Sequence, residues 1–349
     1  MLFGRLSAIG WLIDANCDND AWHTDHAAQH DELPHGNSIE MKPGPIRWLV
    51  LAALLLMLVL TTTSAYIRLS QAGFGCADWP ACYGRSVSIP PAGQVIPERS
   101  ALFWAHALHR LAASAAGILL VLIVFLGWDA LQGAAARLTA IATLALAGFL
   151  AWLGLITPSI LPAVTVGNLL GGMTMIALLW WLHQRARGSG AGRTLHGLAL
   201  AALVLQIALG GMIGARHAVL SCVTLPACTG GWWPDSIDWR LFDPFFALPE
   251  SDIGSAAGEA LIMFHRYGAV LVATILCALG VKAVRRGARV AARGWLLLGM
   301  LALQLLLGAG MVLANFPLPL ALLHNLCAAL LLSATVGLPW PSSGTQEDA

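Results

Sequence analysis

Eight runs of about twenty apolar residues, near 47–67, 100–127, 138–157, 163–183, 195–215, 258–281, 294–314 and 317–338, set what this chain can fold into. A helix of roughly 20 residues crosses about 30 Å of hydrocarbon, and no water is available there to satisfy a backbone left unpaired. Each run is therefore expected as a helix bonded within itself. The fold class that follows is an all-α polytopic membrane protein, with eight transmembrane helices arranged as two pseudo-equivalent four-helix bundles. Of the 349 residues 58% are hydrophobic and 11% charged, which excludes a water-soluble fold. The net charge of +1 excludes electrostatic capture of nucleic acid, which needs a dense excess of Lys and Arg against phosphate.

An even number of spans puts both termini on one face and the long connections, 68–99 and 216–257, on the other. Arg185, Arg187 and Arg193 lie between spans four and five, and Lys282, Arg285, Arg286, Arg289 and Arg293 between spans six and seven. Asp235, Asp238, Asp243, Glu250 and Asp252 crowd one long connection. Cytoplasmic segments carry the excess of Lys and Arg, so the termini are expected inside and the long loops outside. The domains read as a cytoplasmic extension over 1–46, a first bundle over 47–183, a linker over 184–194, a second bundle over 195–338 and a tail over 339–349. Residues 1–40 combine a short apolar start, Met1–Ile13, with an acidic stretch holding His23, His26, His30 and His35 in no metal-ligand spacing. They read as a disordered tail, or as residues upstream of a natural beginning at Met41-Lys42; a metal-binding tail is the other reading.

The chain also repeats itself at half length. One long connection contains Cys76-Ala-Asp-Trp-Pro-Ala-Cys82 and the other Cys222-Val-Thr-Leu-Pro-Ala-Cys228. Span two carries His109-Arg110 and span six His265-Arg266; fifty-nine residues after these histidines come Asn168 in span four and His324 in span eight. Leu205-Gln206 with Gly210 is echoed by Leu303-Gln304 with Gly308. Two bundles of common descent account for this, and bundle cores are where helical proteins place cofactors between side chains of facing helices. Gly171, Gly172, Gly210, Gly211, Gly308 and Gly310 read, singly, as close helix packing.

Ionisable residues inside spans are costly enough that function is their default explanation. His265 and His324 sit at similar depth, and imidazole is a good axial ligand for haem iron, so the pair is a candidate site for a non-covalent haem b. The plain structural reading is two neutral histidines bonding neighbouring helices. Arg266 reads either as the partner of a haem propionate or as a snorkelling arginine. In the first half Asn168, a poor iron ligand, stands opposite His109. His106 lies one turn before His109 on the same helical face. Three roles stay open for it: a displaced ligand, an acid or base, or a bond to its surroundings. The external cysteines read as disulfides Cys76–Cys82 and Cys222–Cys228, with reactive dithiols the alternative. Cys17 is placed in the cytoplasm, Cys277 and Cys327 are small apolar fillers, and His183, His196 and His217 sit at span ends without evident partners.

Taken together, these pieces resemble the haem A synthase family of bacteria and mitochondria, from about Arg47 to Leu338. The resemblance is carried by Arg68-Leu69-Ser70, Gly73-Phe74-Gly75-Cys76-Ala77-Asp78-Trp79-Pro80, His109-Arg110, Asn168-Leu169-Leu170-Gly171-Gly172, Gln206-Ile207-Ala208-Leu209-Gly210-Gly211, His265-Arg266 and Pro317-Leu318-Pro319-Leu320 before His324-Asn325. Each is weak alone; their order over eight spans is specific.

The resemblance implies an oxidoreductase of the bacterial cytoplasmic (inner) membrane that converts the C8 methyl of haem O to a formyl group for cytochrome oxidase. It implies a resident haem b between His265 and His324, with Arg266 beside it. The substrate haem O is implied in the first half, at His109, Arg110 and Asn168. Membrane lipid and haem O synthase are the partners implied, with room for a homo-oligomer. The chain departs from the family at two positions: His106 stands where a Glu taking part in the chemistry is expected, and Asn168 where a histidine is expected. A catalytically changed paralogue, acting as a membrane cytochrome b in electron transfer or haem handling, is therefore the alternative.

Overall fold

The computed structural model describes residues 44–338 apart from 75, 77, 85–96, 132, 158, 160, 186–193, 229–230, 235 and 248–257. The expected extension over 1–40, most of the 184–194 linker and the 339–349 tail, with Cys17 and the four histidines of the extension, lie outside these residues. The order is α1 (Pro45–Gln71), α2 (Pro97–Phe125), α3 (Ala134–Leu155), α4 (Pro162–Arg185), α5 (Thr194–Ala215), α6 (Glu259–Val284), α7 (Ala288–Leu313) and α8 (Leu318–Val336). All eight are long and apolar enough to cross a membrane, so the protein is a multi-pass, all-α membrane protein. Short 3₁₀ turns at Val219–Ser221 and Trp239–Phe242 are the remaining regular elements among the described residues.

Proline opens several helices, at Pro45, Pro162 and as Pro319 in the first turn of α8, where its missing N–H would have no intrahelical partner anyway. α1 and α7 outrun the apolar runs that announce them by the most. α1 continues to Gln71, and within it Thr61, Thr62 and Thr63 turn their hydroxyls back onto the carbonyls of Met57, Leu58 and Val59 at 2.8–2.9 Å, so those hydroxyls are satisfied inside the helix. α7 begins at Ala288 rather than 294, and its basic first turns are stabilised in part by Arg293, which donates to the carbonyl of Gly337 just beyond α8 at 2.8 Å.

Consecutive helices pack as neighbours within α1–α4 and within α5–α8; α1 also lies against α4, and α5 against α8. The two sets meet along α1, α4, α5 and α8. Their common core includes the inaccessible Val50 and Ala53 of α1, Met175, Leu179 and Leu182 of α4, Leu276 and Leu279 of α6, and Leu331 of α8. Lipid tails are as apolar as these side chains, so dispersion contacts of a tightly packed interior hold the helices together. Leu111, Leu155, Leu271 and Leu306 point outward, where lipid covers them. Gly171, Gly172 and Gly211 do serve close packing, since a Cβ at each would press on Leu150, Thr61 and Leu169.

The described parts of the long connections pack onto the helices, and each leans on residues of the other set. Phe74 and Tyr83 of the first pack with Val219, Phe316 and Ala321, beside the turn between α7 and α8. In the second, Leu241 and Phe242 pack against Val166 and Leu170 of α4, and the Pro244 carbonyl accepts from the Ala163 N–H at 2.8 Å. That bond satisfies one of the free donors at the start of α4. The sulfur atoms of Cys76 and Cys82 lie at disulfide distance with Cα atoms 6.5 Å apart, as do those of Cys222 and Cys228 with Cα atoms 5.2 Å apart. Gly73, at φ 96°, lets the chain turn beside the first pair, where a Cβ would meet the Cys82 carbonyl at 2.9 Å.

Candidate functional site

The histidines of α6 and α8 are each held by a glutamine from the preceding helix. Gln206 of α5 places its amide nitrogen 3.0 Å from His265 Nδ1 and 3.4 Å from Nε2, and donates to the His265 carbonyl at 2.8 Å. Gln304 of α7 places its amide nitrogen 3.1 Å from His324 Nε2. One turn beyond each glutamine comes a glycine that backs the ring: a Cβ on Gly210 would lie 3.1 Å from His265 Cε1, and one on Gly308 3.1 Å from His324 Cε1. Helical residues four apart share a face, so one face of α5 and one face of α7 supply both the hydrogen-bonding group and the space. His324 Nδ1 and the carboxamide oxygens of Gln206 and Gln304 are buried without a hydrogen-bond partner among the described residues. Buried polar atoms are nearly always satisfied, so these mark a place where further polar chemistry fits.

Among the described residues no group of three or more His, Cys, Asp or Glu comes together to hold a bare metal ion. A site built on two imidazoles suits instead a metal whose other ligands arrive with it, as in a porphyrin, which asks the protein only for axial groups. The ring space kept open by Gly210 and Gly308 and the unsatisfied His324 nitrogen fit such a group. His183, His196 and His217 are not part of this arrangement. Two of them have neighbours that their places in the sequence do not reveal: His183 stacks on Trp180 with ring centroids 5.8 Å apart, and His217 meets Tyr83 edge-on at 5.6 Å.

Arg266 is occupied by protein. Its guanidinium donates to the Pro226 carbonyl at 3.1 Å and the Cys222 carbonyl at 3.3 Å, which ties the second cysteine loop to α6 beside His265. The adjoining Phe264 and Tyr267 carry the same loop. Trp233 stacks on Tyr267 at 6.1 Å, Phe242 meets Phe264 edge-on at 5.3 Å, and the Tyr267 hydroxyl donates to the Trp232 carbonyl. Further along, Arg216, at the end of α5 and 4% exposed, donates to the carbonyls of Asp243 at 2.6 Å, Phe246 at 2.7 Å, Arg240 at 3.1 Å and Leu241 at 3.3 Å. Four carbonyl dipoles compensate a charge removed from water. Above it Asp238 and Arg240 form an exposed ion pair at 2.8 Å, and the Arg240 hydrogen bonds hold the Asp238 carboxyl below the usual carboxylate range.

In α2 the structure places His106 and His109 one turn apart, both half-buried, with Arg110 exposed. Asn168 of α4 donates from its amide nitrogen to the Thr157 hydroxyl just after α3 at 3.2 Å, and that hydroxyl donates to the Leu153 carbonyl at 2.9 Å. The asparagine thus links α4 to α3. The residues that sequence reasoning did not assign to the site are Gln206, Gln304, Arg216 and Thr157. The Gln-x-x-x-Gly echo of spans five and seven is the one signal that pointed to any of them.

The fold and site define a multi-helical membrane protein with a histidine pair suited to a porphyrin. Residues 46–336 match the family described as cytochrome oxidase assembly protein. Relatives similar over more than four fifths of the chain are named as haem A synthases. That of Shewanella oneidensis is 32% identical over 316 residues, 83% of this chain and 94% of the relative. That of Sphingopyxis alaskensis is 26% identical over 86% of this chain and 93% of its own length, and that of Mesorhizobium japonicum 24% identical over 82% and 87%. The chain belongs to the haem A synthase family.

Proposed function

We propose that this protein is a haem A synthase of the bacterial inner membrane, with its termini in the cytoplasm, oxidising the C8 methyl of haem O to a formyl group for cytochrome oxidase assembly. The observation that carries the reading is the pair of Gln-His-Gly clusters at α5/α6 and α7/α8, in a chain similar along most of its length to proteins named for this activity.

A haem b resident in the α5–α8 half supplies electron transfer when bound. His265 and His324 hold it, and Arg266 shapes the outer end of its site by fixing the Cys222–Cys228 loop. The α1–α4 half takes haem O as substrate. His109 would bind its iron, Arg110 lies next in the chain to meet a propionate, and Asn168 would contribute its carboxamide from α4. His106 exchanges the proton that the family ordinarily assigns to a carboxylate. Disulfides Cys76–Cys82 and Cys222–Cys228 close the two loops on the oxidising side of the membrane.

The test of the resident site is spectroscopic. His265→Ala and His324→Ala each abolish the absorption bands of a low-spin haem b in the purified protein; unchanged bands in both variants contradict the assignment. The second reading, a catalytically changed cytochrome b, is favoured by one observation: the Asn168 amide that replaces a family histidine is engaged with Thr157.

A further inference from the structure

The two glutamines are the same device used twice. Each lies on the helix preceding the one that bears the histidine, each reaches an imidazole nitrogen at 3.0–3.1 Å, and each is followed one turn later by a glycine backing that ring. Gln206 has a further seat on α6, where Gly268, three residues after His265, leaves room for its carboxamide oxygen. The histidines sit on different helices, so the recurrence is not local chain geometry. A glutamine inside a span needs partners, and a leucine would fill the same volume without the need.

We propose that Gln206 and Gln304 are positioning residues that set the orientation and the electron-donating strength of His265 and His324 as axial ligands. The proposal rests on the resident-haem reading of that histidine pair. A neutral imidazole that gives one nitrogen's lone pair to a metal carries its proton on the other, and that N–H needs an acceptor. The carboxamide is a group that answers either tautomer. Its nitrogen donates to an unprotonated ring nitrogen, as arranged here, and a half turn of the amide brings its oxygen to a protonated one. Both oxygens are buried and unpartnered among the described residues; at Gln304 the turn exchanges one bond to the ring for another, whereas at Gln206 it also gives up the bond to the His265 carbonyl, which favours the donating orientation there. An acceptor on the outer nitrogen fixes the ring's rotation and raises its basicity, which strengthens donation to the metal and favours the oxidised iron. The glycines complete the device, since a side chain at 210 or 308 would displace the ring that the amide holds.

The experiment is a redox titration and low-temperature EPR of the purified full-length protein carrying its haem b, for the parent and for Gln206→Leu, Gln206→Glu, Gln304→Leu and Gln304→Glu. The leucine variants, which remove the acceptor, shift the midpoint potential upward and broaden the low-spin signal through a less fixed ring. The glutamate variants, which strengthen the acceptor, shift it downward. Opposite signs at the same position are what a merely structural role does not produce. If both substitutions leave potential and signal at the parent's values, shift them the same way, or both lose the haem, the inference is overturned. A parent without a low-spin bis-imidazole signal overturns the underlying haem assignment instead, which separates the two failures.

Discussion

The guanidinium of Arg216 reaches the main-chain carbonyl of Asp243 at 2.6 Å, across 27 residues of chain, and three further carbonyls of the same connection close around it. A buried cation at the last turn of α5 thereby holds down a loop whose own tip contacts α4. Removing it strips four carbonyls of their donor. Arg216→Leu is expected to destabilise the protein by about 3 kcal/mol or more, because hydrogen bonds to a charged group contribute roughly 1.5 to 3 kcal/mol each and water replaces only part of them. Thermal unfolding in detergent checks the magnitude. Limited proteolysis checks the place, with new cleavage confined to residues 238–246.

His217 makes the first long connection sensitive to acid. Burial holds its imidazole below the ordinary value, and its ring meets Tyr83, whose phenol burial pushes upward, so both rings are neutral where they touch. The unfolded state binds the additional proton below about pH 6.5. Docking of the 72–84 loop is thus fully present above that pH and weakens as the pH falls through it. Protease nicking of this loop in proteoliposomes should accelerate from pH 7.5 to pH 5. His217→Asn, which tolerates the positive φ of 52° at this position, should flatten the profile. A flat profile in the parent contradicts the assignment.

The first half is tested by three variants assayed for bound haem and for product. His109→Ala loses the substrate haem. His106→Ala keeps it and loses turnover by about 10²-fold or more, the scale on which a positioned acid or base acts. Asn168→His, which breaks the bond to Thr157, changes the spin state of the bound iron. If His106→Ala turns over like the parent, the proton-transfer role is wrong.

What the chain discloses about itself depends on whether the signal is local. The spans, the two Cys-x5-Cys pairs and the histidines of α6 and α8 are legible because hydropathy, spacing and an ionisable group in hydrocarbon each carry meaning within a short window. Gln206 and Gln304 stand out only as an echo, because their partners lie on neighbouring helices and the packing had to be known before the amide could be paired with the ring. Arg216 ends a span exactly as a snorkelling arginine would, and only the folded loop reveals its carbonyl cage. Asn168 invites comparison with the missing histidine, whereas its bond goes to Thr157, which the hydropathy pattern assigns to the end of the third apolar run. The ends of α1 and α7 are hidden for a simpler reason: polar and basic residues, Arg68 to Gln71 in the one and Arg293 in the other, lower hydropathy without ending a helix.

The conversion of haem O to haem A is tested directly by one measurement. The full-length chain is expressed together with haem O synthase in cells that make no haem A of their own, and the extracted haems are separated by chromatography. Haem A appearing with the chain, and absent without it, is the predicted result; haem O accumulating unchanged beside a well-folded, haem b-bearing protein contradicts the account and moves the cytochrome b reading ahead.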